Sequence, residues 1–239
     1  MTDESFGRRI TKLGALADPV RRSLYRFVVD QTQAVSRDQA ADGVDVPRHT
    51  AKHHLDRLVD EGLLDTEFRR LTGRTGPGAG RTSKLYRPAD AEVAVSLPHR
   101  RYDLAGAILA EAVERSLAGA SLEASVRAAA RDAGRTAAAE APHHDRRGSE
   151  LGRVGEVLGR HGFEPKVGEQ LVLRNCPFRR LATEHEGVVC SMNLAFVDGV
   201  VDRLGCRDLE ATLDPEPPLC CVKVAPRRSP EAPAADDPA

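Results

Sequence analysis

The chain of 239 residues has no tryptophan, and aromatic residues make up only 4% of it. Lysine is scarce as well, with five against 30 arginines, a skew that reads as genome composition rather than function. No apolar run approaches the ~20 residues that a membrane-spanning helix needs. The opening stretch "MTDESFGRRITKLGALADP" lacks the apolar core of a secretory signal. These absences point to a cytoplasmic protein. Thiols stay reduced there, so the five cysteines are expected to be free, redox-active or metal-bound rather than paired. Motifs for catalysis are missing too. There is no Ser-His-Asp arrangement and no paired-carboxylate motif, and the Gly-rich "GRTGPGAGRTSK" does not fit the phosphate-loop pattern. An enzyme is not expected.

What is present is unevenly charged. Residues 1–102 carry 18 basic against 14 acidic side chains, and the remainder 17 against 22. One basic end joined to an acidic end is compatible with a nucleic-acid-binding module. The chain divides into four regions: a periodic, helical N-terminal part (1–101), an Ala-rich helical linker or dimerisation segment (102–145), a cysteine-bearing α+β part (146–225), and a Pro-, Ala- and charge-rich tail (226–239) expected to be disordered. The expected fold class is α+β.

In the first region, Asp18 before Pro19 signals a helix start. Ser36 is placed to cap a short second helix ending near Gly43. Pro47 opens a third, in which Ala51, Leu55, Leu58 and Val59 form a core-facing stripe. Gly62 suits its C-terminal cap. The opposite face presents Arg48, His49, Thr50, Lys52, His53 and Asp56, rich in donors and dense at its N-terminal end. Such a face could be merely solvated. The segments after Gly62 favour base and phosphate recognition instead: "LLDTEFRR" alternates as a strand, a Gly-rich basic loop comes next, and "SKLYRPA" returns as a second strand. Helix, helix, basic helix and basic hairpin is the order of a winged helix-turn-helix. Its wing would lay Arg70, Arg74, Arg81 and Lys84 along phosphates.

The stretches "ALADPVRRSLYRFVV", "SRDQAADGVDVPRHTAKHHLDRLVDEGLL" and "GRTGPGAGRTSKLYRP" resemble the ArsR-like winged helix-turn-helix regulators of bacteria. More narrowly, they resemble the branch with a cysteine-bearing C-terminal sensor region. The resemblance spans Leu16 to Arg87 and continues through "NCPF" and "LCCVKV". It implies a transcriptional regulator that binds double-stranded operator DNA, usually as a homodimer. His54 matches a histidine this family often carries in its recognition helix, and its place beside the apolar stripe suggests packing or capping. Leu104, Ile108, Leu109, Ala112, Val113 and Leu117 recur at helical spacing in the Ala-rich segment, the candidate dimerisation element. It could equally pack within its own chain.

Cys176, Cys190, Cys206 and Cys221 are separated by 13, 15 and 14 residues, each near an element end. This is not the close pairing of a zinc knuckle. Four converging thiolates would suit zinc or an iron–sulfur cluster, and the long spacing resembles the Suf-operon iron–sulfur repressors. Cys220 is a competing ligand. If it sits in a strand beside Cys221, the two face opposite sides and only one belongs to a site. Redox-sensitive thiols without metal, buried apolar cysteines, and a small organic ligand in an apolar pocket are the other readings. His185 is a candidate further ligand.

Overall fold

A computed structural model describes residues 3–70, 82–141 and 148–227. The chain divides into two compact units, Thr2–Val95 and Ser96–Ala239. The first contains α1 (Asp3–Ala15), α2 (Pro19–Val29), β1 (Val35–Ser36), α3 (Arg37–Val44), α4 (Arg48–Asp60), β2 (Leu64–Arg69) and β3 (Ser83–Pro88). Two of the three expected starts have a side-chain cap, and the third, at Pro47, has none. The Asp18 carboxylate accepts the Arg21 N–H at 2.9 Å. Ser36 Oγ accepts the Gln39 N–H at 3.2 Å while Gln39 Oε1 accepts the Ser36 N–H at 2.8 Å, a reciprocal box. Gly62, at φ 66°, turns the chain out of α4 in the left-handed region where a side chain is disfavoured. Helix α1 precedes the expected start at Asp18–Pro19.

The core of this unit is aliphatic, as the lack of aromatics requires. Leu24, Val28, Ala40, Ala51, Leu55, Leu58 and Leu64 are buried, and Tyr86 joins them. The antiparallel sheet has the order β1-β3-β2. Thr66 faces Tyr86 and Phe68 faces Lys84 across it. On the β2 face that starts at Leu64, burial fades outward until Phe68 is 67% exposed.

The second unit contains α5 (Tyr102–Leu117), α6 (Leu122–Ala139), α7 (Glu150–Arg160), β4 (Pro165–Val167), β5 (Leu171–Leu173), α8 (Arg179–Glu184), α9 (Glu186–Arg203), β6 (Leu209–Leu213) and β7 (Val222–Pro226). Its antiparallel sheet runs β4-β5-β7-β6. The fold class is α+β, as the sequence suggests.

Within this fold the Ala-rich segment is a helical hairpin rather than one helix. The chain breaks at Gly119, φ 106°, and Ser121 caps α6. Both helices belong to the same compact unit as the cysteine-bearing elements. Small side chains bring α6 against α9: a Cβ at Gly134 would collide with the Phe196 carbonyl, and one at Gly199 with the Arg131 carbonyl. Arg131–Asp198 (3.2 Å) and Arg135–Asp202 (2.6 Å) flank the crossing. Ala105, Ile108 and Ala112 of α5 are buried, whereas Tyr102, Val113 and Leu117 are exposed. Three of this unit's aromatic side chains meet in its core. Phe163 meets Phe178 edge-on at 6.2 Å and stacks on Phe196 at 6.1 Å.

Candidate functional site

Two places gather chemistry, one in each unit. In the first, α4 exposes Arg48, His49, Lys52 and His53, while Thr50 is half-buried and Ala51, Leu55 and Leu58 are fixed in the core. Arg48 is steadied by Asp38 of α3 at 2.8 Å. Asp56 is the organiser of this face, a role that its position in the sequence does not reveal. Its Oδ2 holds Lys52 at 2.9 Å, and its Oδ1 holds Lys84 of β3 at 2.7 Å and the Tyr86 hydroxyl at 2.8 Å. Burial pushes the Asp56 carboxyl up, but hydrogen bonds from Lys84, Lys52 and Tyr86 outweigh it and bring the pKa down to about 2. Burial and the Asp56 carboxylate raise the Tyr86 hydroxyl. Two expected DNA contacts, one on the helix and one on the wing strand, are thus held by one ionised carboxylate. Lys84 also lies 5.2 Å from the centre of the Tyr86 ring.

Arg70 is exposed just beyond β2, and Arg74 and Arg81 lie outside the described residues. His54 is half-buried with no partner at Nδ1. Burial lowers its pKa and Asp18 partly opposes that, so a neutral packing residue fits it better than a base reader.

In the second unit one cavity of about 220 Å³ is lined by Cys176, Cys190, Cys220 and Cys221, with Arg179, Glu186 and Glu216 at its wall. This differs from the expected set in two ways. Cys206 lies elsewhere: its sulfur takes an Arg153 guanidinium N–H at 3.5 Å and lines a separate cavity with Arg131, Asp198 and Arg207. Cys220 and Cys221 both reach the first cavity, because they sit in the bend before β7, where strand alternation does not apply. The long, even spacing suggested Cys206, and only the chain path could remove it.

Several contacts position these sulfurs. Asn175 is buried, donating to the His99 carbonyl at 2.9 Å and the Gly162 carbonyl at 2.5 Å. Arg100 reaches the Asn175 side chain at 2.5 Å and the Cys176 carbonyl at 3.1 Å, fixing the Cys176 backbone. Pro177 and Phe178 form the turn before α8, closed by the Arg179 N–H on the Cys176 carbonyl at 3.1 Å. The β6–β7 loop is pinned by Lys223, whose side chain is 6% exposed and holds Asp214 at 2.6 Å and Glu216 at 2.8 Å. The Cys220 N–H donates to the Leu173 carbonyl at 2.9 Å. His185, the other candidate ligand, is exposed at the α8–α9 junction.

Asn193 Nδ2 donates to Cys220 Sγ at 3.2 Å. The neighbouring Cys176 and Cys221 side chains, the Val222 N–H and Asn193 favour the Cys220 thiolate against the cost of burial, and pull its pKa down. Cys176 and Cys221 are pushed up, chiefly by the neighbouring Cys220 and then by burial. Burial raises Cys190, with Cys221 partly opposing. Among the described residues no three His, Cys, Asp or Glu side chains surround one metal-sized point. The donor set, four thiols on one cavity, has the chemistry of a soft-metal or iron–sulfur site, without the geometry of a finished cage.

Residues 16–67 match the family model described as a helix-turn-helix domain. No curated protein and no solved structure matches the chain. The match covers α2 to β2, including the whole of α4 with its exposed basic face. The chain therefore carries a helix-turn-helix domain, the DNA-binding module of a transcriptional regulator.

Proposed function

We propose that the chain is a dimeric repressor whose operator affinity is set by an iron–sulfur cluster or soft metal on its thiols. Cys176, Cys190, Cys220 and Cys221 would hold the group. The observation that carries this reading is the presence of four thiols on one cavity in a chain with a DNA-reading helix. When bound, the group would supply metal–sulfur bonds in place of the thiol protons. The chain's own part is to give up the thiol protons and turn the four side chains inward. Control of DNA binding then requires that the loaded and unloaded dimers differ in free energy between two geometries. The exposed Tyr102, Val113 and Leu117 on α5 are the surface we assign to the second copy.

At the DNA end, Arg48 and the Lys52–Lys84 pair meet bases and phosphates. Arg48→Ala with Lys52→Ala should weaken operator binding at least tenfold and lower the salt slope by about one per lost phosphate contact. A gel shift with unchanged affinity would remove α4 from the interface. For the thiol pocket, anaerobic reconstitution with visible absorbance and iron analysis is the test, and colourless, metal-free protein would eliminate the cluster.

A second reading has its own support in the cavity that Cys176 and Cys220 share. Exchange of Cys176 and Cys220 with an external disulfide would join their sulfurs and release two external thiols. It would make the regulator a thiol sensor without metal. Mass mapping of the oxidised chain separates the two.

A further inference from the structure

Asn193 occupies an unusual place. It lies in α9 three residues after Cys190, so both project from one helix face toward the bend that carries Cys220 and Cys221. Its side chain is 1% exposed, amid Val189, Met192, Phe196 and Val197 of the core. Its Nδ2 donates to Cys220 Sγ at 3.2 Å, and its Oδ1 has no partner. A leucine would fill this volume without leaving a buried carbonyl oxygen unsatisfied. Packing alone therefore does not account for an amide here, and its one directed contact is with a sulfur of the thiol pocket.

We infer that Asn193 is a positioning residue of the thiol pocket, holding Cys220 Sγ in place by an N–H···S bond that persists when the sulfur carries a metal or cluster. This rests on the reading of the pocket as a soft-metal site. Hydrogen bonds to ligand sulfurs orient them and tune the bound centre, and loss of such outer partners typically weakens metal binding ~10–100-fold. The amide donates without competing as a ligand, since its nitrogen has no free lone pair to offer. Asn193 also links the two sides of the cavity, because α9 supplies Cys190 and the bend supplies Cys220.

The experiment uses the full chain in two arms. In the metal-free chain, the side-chain amide resonance of Asn193, identified by its loss in Asn193→Leu, should shift in Cys220→Ala and stay unchanged in Cys206→Ala. The second arm titrates Cd²⁺ and follows the thiolate charge-transfer band. Asn193→Leu should bind at least tenfold more weakly than wild type, with a displaced band. An amide resonance indifferent to Cys220, or equal Cd²⁺ affinity and band in wild type and Asn193→Leu, overturns the inference. If Asn193→Leu does not fold, Asn193→Ala, which also lacks the donor, takes its place with the same expected weakening, and equal affinity again overturns it. Wild type that takes no Cd²⁺ refutes the metal reading by itself, and the resonance arm still decides the contact.

Discussion

Asp56 shows how one side chain can arrange a surface that composition leaves short of lysine. It is fixed by Lys52, Lys84 and Tyr86 and stays ionised down to a pKa of about 2, below its ordinary 3.8. A carboxylate with a lowered folded pKa stabilises the fold above the unfolded value and loses that contribution as pH falls through the folded one. Asp56→Asn should therefore cost ~1 kcal/mol at neutral pH, after allowance for solvent screening. The cost should fade between about pH 4 and pH 2. Urea denaturation of both chains across this range checks it, and a cost independent of pH would be the opposing result. The sequence shows Asp56 one turn from Lys52, but its grip on Lys84 depends on the register that brings β3 beside α4. Likewise the N–C–P–F stretch displays its cysteine openly, while the role of Asn175 as the pin of that turn is visible only once His99, Arg100 and Gly162 converge on it.

Among the elements, local signals were the most legible. Asp18–Pro19, Ser36 with Gln39, and Gly62 act within a few residues, so their chemistry is complete in the sequence. The Ala-rich segment is the opposite case. Alanine reports that something comes close, without saying whether the neighbour belongs to the same chain. In α6 that neighbour is α9, and the close approach depends on Gly134 and Gly199. Gly134→Ala should force the two backbones apart and destabilise the second unit by at least ~1–3 kcal/mol, the usual cost of overpacking. Thermal melting should register it, with the first unit left intact. Gly106, whose added Cβ would touch nothing within 4 Å, serves as the control that should tolerate alanine. The strand rule failed at Cys220 and Cys221 for an equally local reason: β7 begins one residue later, at Val222.

At the level of the whole molecule, the two units carry complementary kinds of chemistry. One presents a basic helix and wing on an aliphatic core. The other gathers four thiols around a cavity, with a buried amide on the Cys220 sulfur. The cysteine count and spacing raised the question of convergence, but which four line the cavity was not legible. Cys206 and Cys220 exchange places because the chain leaves α9 on one side of the unit and returns through the β6–β7 loop on the other. The central claim, that the thiol pocket governs DNA binding, joins the two units. Its most direct test is the affinity of the full chain for a duplex selected from a random-sequence pool, measured anaerobically with and without reconstituted iron and sulfide. The account predicts at least a tenfold difference in Kd, abolished by Cys220→Ser and preserved in Cys206→Ser. Equal affinity in loaded and unloaded protein, or loss of the difference in Cys206→Ser alone, would contradict it.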